Sequence, residues 1–226
     1  VKWIKDFNKI KKGPVIFFGN EFFDAIPIKQ FKRKNNFLFE KNYNQDKDCN
    51  IKEIFKKASP QNIKIIKSYK TLKKLKFIEF PKLGFEELKK ISKKITKLKG
   101  CILMIDYGYL KSHNGNTLQS VMKHKKNYLL NNLGKADITA HVNFQLLNEF
   151  FSKNGLKIKN VVSQKNFLED MGIFERAKIL AKKMKFTEQS DLYLRLQRLL
   201  SPKYMGNLFK VILAYKFDNN NFAGFK

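Results

Sequence analysis

Two short apolar runs constrain the fold of this 226-residue chain more than any other feature. Val15 to Phe18 follows the turn residues Lys12-Gly13-Pro14, and Cys101 to Ile105 follows the helix breaker Gly100. An uninterrupted apolar run bounded by turn residues is typical of a strand covered on both faces, as in a parallel sheet. The two runs therefore predict two buried strands in one open sheet.

The segment that leads into the second run predicts a helix over residues 84–99. Its apolar residues recur at intervals of three and four: Phe85, Leu88, Ile91, Ile95 and Leu98. This spacing is that of an amphipathic helix with one face against a core. Strand, insertion, helix and strand is the order of a βαβ unit, so the predicted fold class is α/β.

The rest of the chain predicts further elements. They are, in order, short β-prone pieces with polar connections over 31–80 (Phe37-Leu38-Phe39, and Ile63 to Ile66), a helix from Val142 to Lys153 capped by Asp137 or Thr139, a half-exposed strand over 156–162, two helices over 167–200 and a closing strand over 208–217. The Asn-rich tail from Asp218 is predicted to fray.

Charge is the most unusual part of the composition. The chain has 47 Lys plus Arg against 19 Asp plus Glu, a formal charge of +28, and an apolar fraction of 43% that is ample for a core. Four of the basic residues are arginines, which leaves 43 lysines spread along the chain. Specific readers of phosphate and guanine favour arginine because its planar fork fits those groups. The pattern predicts a lysine-coated surface typical of an AT-rich genome, without specific nucleic-acid binding.

Several other classes of protein are disfavoured. The longest apolar runs fall far short of the roughly 20 residues that a membrane-spanning helix needs. Two cysteines, Cys49 and Cys101, are too few for a disulfide scaffold or a cysteine zinc site. His113, His124 and His141 lack the spacing and the neighbouring carboxylates of a metal site, so no metal is predicted.

Polar clusters follow both predicted buried strands. The first runs from Gly19 to Pro27 and contains Glu21 and Asp24, spaced by three; the second is Asp106 to Tyr109. Because parallel neighbours end at the same edge of a sheet, the two clusters are expected to share one ligand-binding rim. A structural alternative stays open, in which Asp24 caps a short helix and Gly108 supplies a positive φ at an ordinary strand exit.

A third polar stretch, Lys135 to Val142, precedes a predicted helix. Helix capping explains much of it, and Asp137 and His141 could instead contribute polar groups at the same rim.

Three long segments resemble one enzyme family. GPVIFFGNEFFDAIPIKQF (13–31), CILMIDYGYLKSHNGNTLQSVMKHKKNYLLNNLGKADITAHVNFQLL (101–147) and MGNLFKVILA (205–214) resemble, in the same order, the MidA-type methyltransferases that depend on S-adenosyl-L-methionine (SAM). This family includes a mitochondrial complex I assembly factor that methylates arginine. The resemblance implies a class I methyltransferase fold: a seven-stranded, doubly wound, Rossmann-like sheet with a helical insertion before the last strand.

The resemblance also implies which part of such an enzyme is present. In the family, a glycine-rich loop and an acidic residue grip the methionine and ribose parts of SAM, and nothing in this sequence matches either. With its first residue Val1 in place of methionine, the chain is interpreted as a fragment. Residues 1–217 would be a partial methyltransferase domain entering just before the fourth strand, with 218–226 as the tail. Such a fragment is expected to be inactive alone and to leave its first strand with an unpaired edge.

The site hypothesis combines the polar clusters with this resemblance. Glu21 and Asp24 would clamp a substrate guanidinium, because carboxylates that pair with its nitrogens fix its orientation. Asn20 would lie beside the methyl donor, SAM. Tyr107 would form part of the wall of the substrate pocket. Asp137 and His141, from the third polar stretch, are the last two predicted substrate contacts.

The implied function is SAM-dependent methylation of an arginine in a protein partner, such as a respiratory complex I subunit. Alternatives are a methyltransferase acting on another nucleophile, a non-catalytic assembly protein and, third, a nucleic-acid-binding module. The expected location is a bacterial-type cytoplasm, with the mitochondrial matrix as the alternative.

Overall fold

The computed structural model describes residues 3–47, 50–123, 125–218 and 221–225, so Cys49 and His124 lie outside the described residues. Its strands are β1 (Ile16–Asn20), β2 (Lys29–Lys34), β3 (Phe37–Gln45), β4 (Ile51–Lys57), β5 (Phe77–Phe80), β6 (Cys101–Tyr109), β7 (Gln119–Met122), β8 (Lys125–Asn127), β9 (Asp137–Thr139), β10 (Val142–Asn143), β11 (Lys157–Ile158), β12 (Val162–Ser163) and β13 (Phe209–Tyr215). Its α-helices are α1 (Pro60–Ser68), α2 (Lys82–Leu98), α3 (Phe144–Lys153), α4 (Gln164–Asp170), α5 (Ile173–Ala181), α6 (Phe186–Leu200) and α7 (Met205–Leu208).

The two predicted buried strands, β1 and β6, are parallel neighbours in a mixed six-stranded sheet. Their register pairs Ile16 with Cys101 and Asn20 with Ile105, which confirms the prediction that they lie side by side. On its other side β6 pairs with the antiparallel β13, which also pairs with β11 and β12, while β10 continues the sheet beside the end of β6. Helices α4, α5 and α6 precede β13, as the family resemblance implied.

Helix α2 connects into β6 and covers one face of the sheet. Phe85, Leu88 and Ile95 of its apolar stripe are buried in the same cluster as Ile102 and Met104 of β6. Each fully buried aliphatic or aromatic side chain contributes about 1.5–3 kcal/mol, so this stripe fixes the helix on the sheet. The predicted helix over 84–99 is confirmed, although it begins two residues earlier and ends one residue earlier, at Leu98.

The insertion between β1 and α2 is more regular than the sequence predicted. Strands β2 to β5 form an antiparallel sheet in the order β4-β3-β2-β5. The prediction of a β-prone piece at Ile63 to Ile66 is wrong, because these residues lie in α1. Pro60 occupies the first turn of α1, and the Ser59 hydroxyl caps it by accepting from the Asn62 N–H at 3.2 Å. This start signal outweighs the β preference of the isoleucines.

The predicted boundaries around the last helices need three corrections. Residues 167–200 fall in three helices, not two, because Gly172 takes a left-handed conformation (φ 80°) that separates α4 from α5. Helix α3 is capped by Asn143, whose side chain accepts from the Leu146 N–H at 3.0 Å. Asp137 and Thr139, the predicted caps, instead lie in β9 and pair with β7. The strand predicted over 156–162 is reduced to the short strands β11 and β12.

The coverage of β1 and the packing of the C-terminal tail also differ from the expectations. Strand β1 is not covered on both faces, since Ile16 is 73% exposed and Phe18 is 66% exposed. The described part of the tail, 221–225, is not frayed. Phe222 packs on Tyr215 with ring centroids 4.8 Å apart, and Phe225 packs similarly on α4. These aromatic contacts hold the tail against the sheet.

Gly108 is needed for close approach of two strands and not for a positive φ. It lies within β6 opposite Val142, and a Cβ atom at this position would lie 2.0 Å from the Val142 carbonyl oxygen. We expect Gly108→Ala to lower the free energy of unfolding by about 2 kcal/mol, because backbone must move to relieve the overlap. Chemical denaturation measures this. Gly19→Ala is the matched control in β1, where the nearest atom to the added Cβ is 3.5 Å away; equal losses in both variants would contradict the prediction.

Candidate active site

The loop after β1 and the end of β6 meet at one edge of the main sheet. Glu21 follows β1 in a left-handed conformation (φ 47°), and its backbone N–H donates to the Ile105 carbonyl at 3.0 Å. A non-glycine residue in this conformation is uncommon and marks a constrained turn. The constraint turns the chain away from the strand direction, so that residues 22–27 fold back over the end of β6.

The buried carboxylate of Asp106 fastens this loop to β6. Asp106 is 1% exposed, and its Oδ2 accepts from the backbone N–H groups of Phe23 at 2.8 Å and Asp24 at 3.3 Å. Its Oδ1 accepts from the Tyr107 N–H at 2.9 Å. Burial raises the pKa of Asp106 to about 6, and the neighbouring Asp24 carboxylate adds to the rise, although the three N–H groups oppose it. At neutral pH the group is therefore mostly ionised, as three donors require.

Asp24 and Tyr107 form the polar centre of the rim. The Tyr107 hydroxyl donates to Asp24 Oδ2 at 2.5 Å, and the Asp24 side chain is buried with Oδ1 unpartnered among the described residues. Burial, and next the bond to Asp24, raise the pKa of Tyr107 above its ordinary value, so the phenol stays protonated and remains a donor. A buried acceptor oxygen without a partner costs about 1–3 kcal/mol, which makes Asp24 Oδ1 a natural place for a ligand donor.

His141 packs against this pair from the third polar stretch. Its ring meets the Tyr107 ring edge to face, with centroids 5.3 Å apart and an interplanar angle of 84°. Its backbone N–H donates to Thr117 Oγ1 at 3.0 Å. Burial lowers the pKa of His141, so the imidazole is neutral at pH 7.

A pocket of about 480 Å³ opens beside Asp24. It lies between the loop after β1, the hairpin of β3 and β4, and the segment from Leu118 to Ala140. Asp24 is part of its wall, together with Thr139, whose side chain lies near the Tyr107 hydroxyl. The volume is in the range of small-ligand sites.

The sequence matches a known family over this whole region. A family profile described as "Putative S-adenosyl-L-methionine-dependent methyltransferase" matches residues 1–162, which is more than half of the chain. The chain belongs to this family. The match confirms the resemblance to MidA-type methyltransferases.

Individual relatives of the family are about twice as long as this chain. The "Protein arginine methyltransferase NDUFAF7 homolog, mitochondrial" of Caenorhabditis elegans is 30% identical over 196 residues, covering 84% of this chain and 45% of the relative. The human "Protein arginine methyltransferase NDUFAF7, mitochondrial" is 27% identical over 216 residues, covering 92% of this chain and 47% of the relative. The chain thus spans about half the length of these relatives.

Solved structures show the same fold. Two crystal structures from Burkholderia thailandensis superpose with TM-scores of 0.82 and 0.79, each at 20% identity and over 99% of this chain, and the chain covers 60% and 58% of the chains in them. The second was crystallised with S-adenosyl-homocysteine. At this identity the likeness concerns the fold, and it confirms the predicted α/β methyltransferase class.

The described residues do not form a complete binding site for SAM, the family's cofactor. SAM needs polar contacts for its methionine and ribose parts, which glycine-rich turns and strand-end acids commonly provide. No described strand leads into a glycine-rich turn. The exposed tip of β1 offers the amide of Asn20 and the carboxylate of Glu21 only. Asn20 as a cofactor contact therefore stays a prediction.

The predicted site residues are only partly brought together. Asp24, Tyr107 and His141 form one contiguous cluster. Glu21 lies on the same loop but is exposed where Asp24 is buried, so the two-carboxylate clamp stays a prediction. Asp137 is exposed in β9, and no hydrogen bond among the described residues links it to the cluster.

Glu79, in β5, is a buried acid that the sequence reasoning missed. Its Oε1 accepts from Gln30 Nε2 at 2.8 Å, from the Thr117 N–H at 3.0 Å and from the Leu118 N–H at 3.3 Å, and its Oε2 accepts from the Thr117 hydroxyl at 2.5 Å. Since Thr117 Oγ1 in turn holds the His141 backbone, Glu79 positions the His141 side of the site. The sequence signal that could have identified Glu79 is that it is the single acid inside the apolar run Phe77 to Phe80.

The described ranges hold neither a candidate metal site nor a candidate membrane-spanning helix. His, Cys, Asp and Glu side chains form no group of three there that could hold a metal ion. Within the same ranges, no helix has both the length and the apolar character that crossing a bilayer demands.

Proposed function

We propose that this chain carries the acceptor side of a SAM-dependent methyltransferase that modifies an arginine side chain of a protein. The family membership and the relatives named protein arginine methyltransferases support this reading. The observation that carries it is the Asp24 carboxylate, which is buried, held by Tyr107 and left with one free oxygen. Such a group suits a cationic N–H donor, and a guanidinium offers five of them.

Asp24 would act on the guanidinium by holding it and by localising its charge. Arginine is a poor nucleophile because its positive charge is spread over three nitrogens. An N–H of the guanidinium donating to Asp24 Oδ1 would draw the positive charge toward that nitrogen and leave electron density on another. Burial strengthens this attraction, because the effective dielectric around Asp24 is lower than in water. The Tyr107 hydroxyl fixes the carboxylate by occupying Oδ2.

A guanidinium that gains a methyl group must release one proton, because the product is again singly charged. Asp24 Oδ1 is the proposed first acceptor, since it would already hold an N–H of the substrate. Neutral His141, beyond Tyr107, would be the next base at this rim. Glu21 would add a second carboxylate from the surface.

The binding site for SAM, the methyl donor, is proposed to be formed by polypeptide that pairs with the open edge of β1. Among the described residues β1 pairs with β6 alone, and its exposed Ile16 and Phe18 side chains are apolar. An unpaired apolar edge strand is a template for another strand. The division into a partial methyltransferase domain over residues 1–217 and a tail over 218–226 stays a prediction, as does low turnover by the chain alone.

The partner and the location remain predictions of this proposal. A respiratory complex I subunit would be the protein substrate. The relatives carry the word mitochondrial in their names, which favours the mitochondrial alternative over a bacterial-type cytoplasm.

Peptide binding tests the role of Asp24. We expect the chain to bind an arginine peptide about tenfold more tightly than the same peptide with lysine, because only arginine offers a planar fork at equal charge. Asp24→Asn should abolish this preference, since an amide keeps the Tyr107 contact but lacks the charge. Isothermal titration calorimetry at fixed salt measures both affinities.

The matched control is Asp191→Asn, the same change at an exposed position of α6. It should leave the arginine preference intact. Equal affinity of the unmodified chain for arginine and lysine peptides, or a preference that survives Asp24→Asn, would contradict the proposed role. In a form of the enzyme able to turn over, Glu21→Gln and Asp24→Asn should reduce methyl transfer and leave cofactor binding mostly intact.

A further inference from the structure

The pocket beside Asp24 differs in chemistry from the rest of this basic chain. The chain has 47 lysines and arginines, but none of those that the structure describes lines this pocket. The lining is mainly aliphatic, with Asp24 and Tyr43 as its titratable side chains. An acidic or phosphorylated ligand would therefore find no cationic partner in the wall, whereas an apolar group would fit it.

Several apolar side chains in the wall are incompletely covered. Leu133 is 52% exposed and Ile138 is 42% exposed, and both face the same pocket as the better covered Leu118. Single exposed apolar residues are ordinary, but exposed residues that converge on one cavity are typical of binding sites. Burial of a large apolar side chain against such a wall is favourable in proportion to the area removed from water.

The pocket is continuous with the proposed arginine site. Asp24 and Thr139 belong to both: Asp24 holds Tyr107, and the Thr139 side chain lies near the same phenol. Neighbouring residues of an extended peptide lie about 3.3–3.6 Å apart per position, so one short segment can reach both places.

We propose that this pocket binds a bulky apolar side chain located within a few residues of the arginine in the substrate protein. The inference rests on the proposed function, and it adds a sequence preference to it. The unpartnered Asp24 Oδ1 marks the arginine end of the segment, and the lysine-free wall marks the apolar end. Leu133 and Ile138 then determine which side chain near the substrate arginine is preferred.

A peptide series at constant charge tests the pocket. Short peptides carry one arginine and, two positions away, either leucine or alanine. We expect the leucine peptide to bind the chain about tenfold more tightly than the alanine peptide, because the pocket buries the larger side chain. Leu133→Asn should remove most of this difference and leave the affinity for the alanine peptide nearly unchanged. Titration calorimetry provides all four affinities.

Two further variants keep the result interpretable. Leu194→Asn makes the same change at an exposed position of α6, outside the pocket, and should preserve the full leucine preference. Ala25→Phe narrows the pocket from the exposed side of the loop and should weaken the leucine peptide more than the alanine peptide. Circular dichroism confirms that each variant is folded.

The outcomes separate this inference from the proposed function. An arginine preference that depends on Asp24, with equal binding of leucine and alanine peptides, would overturn the pocket and leave the proposed function standing. A leucine preference that persists when lysine replaces arginine, with no arginine preference, would support the apolar pocket and overturn the proposed function. Loss of both preferences in the unmodified chain would overturn both.

Discussion

Glu79→Ala is expected to lower the free energy of unfolding by about 3–4 kcal/mol. The substitution removes an acceptor from four donors of Gln30, Thr117 and Leu118. The Gln30 amide and the Leu118 N–H keep Asn116 Oδ1 as a second acceptor, whereas both Thr117 donors lose the partner that they have. Each buried donor that loses its partner costs about 1–3 kcal/mol, and partial relaxation keeps the sum below the full total. Chemical denaturation at pH 7 measures the loss.

Glu79→Gln and Glu87→Ala are the controls. The amide oxygen of glutamine can replace one carboxylate oxygen, so we expect about half of the alanine effect. Glu87 is exposed on α2 and pairs with Lys90 at 2.6 Å, a surface ion pair worth less than about 1 kcal/mol. A loss at Glu79 no larger than that at Glu87 would show that Glu79 does not organise the His141 side of the site.

The sequence predicted those parts of the fold that depend on local patterns. The apolar runs at β1 and β6 have no polar interruption, so two strands paired in parallel could be inferred from the sequence pattern, although β1 is exposed on one face. The stripe of α2 repeats over four turns, which makes it a strong helical signal. From these, the shared rim of Asp24 and Tyr107 followed by geometry.

The remaining parts depend on partners that are distant in the chain. Ile63 to Ile66 looks β-prone alone, and the Ser59–Pro60 start signal decides for a helix. Glu79 receives its donors from 38 and 49 positions away, and Asp106 from 83, so no local pattern identifies either acid as an anchor. Glu79 was visible only as an acid within an apolar strand, and Asp106 only as the first residue of the polar cluster 106–109. The exposure of Glu21 beside the buried Asp24 likewise follows from the turn that the Asp106 carboxylate imposes.

Asp106 should make the chain less stable as the pH rises from about 4 to 7. Its pKa is about 6 in the folded protein and about 3.9 in an unfolded chain, so the folded state binds more protons over this range. With more protons bound to the folded state, the free energy of unfolding falls as the pH increases, at up to about 1.4 kcal/mol per pH unit. The difference between the unmodified chain and Asp106→Asn should therefore shrink by about 3 kcal/mol in total.

This prediction depends on which of two opposing effects dominates at Asp106. Burial favours the neutral acid, as does the nearby Asp24 carboxylate, whereas three backbone N–H groups favour the ionised form. Denaturation curves of both proteins from pH 4 to pH 7 separate the effects, because titrations elsewhere in the chain cancel in the difference. A difference that grows with pH would mean that the N–H groups prevail. In that case the loop bearing Asp24 would be held most firmly at high pH, where the ionised carboxylate is fully formed.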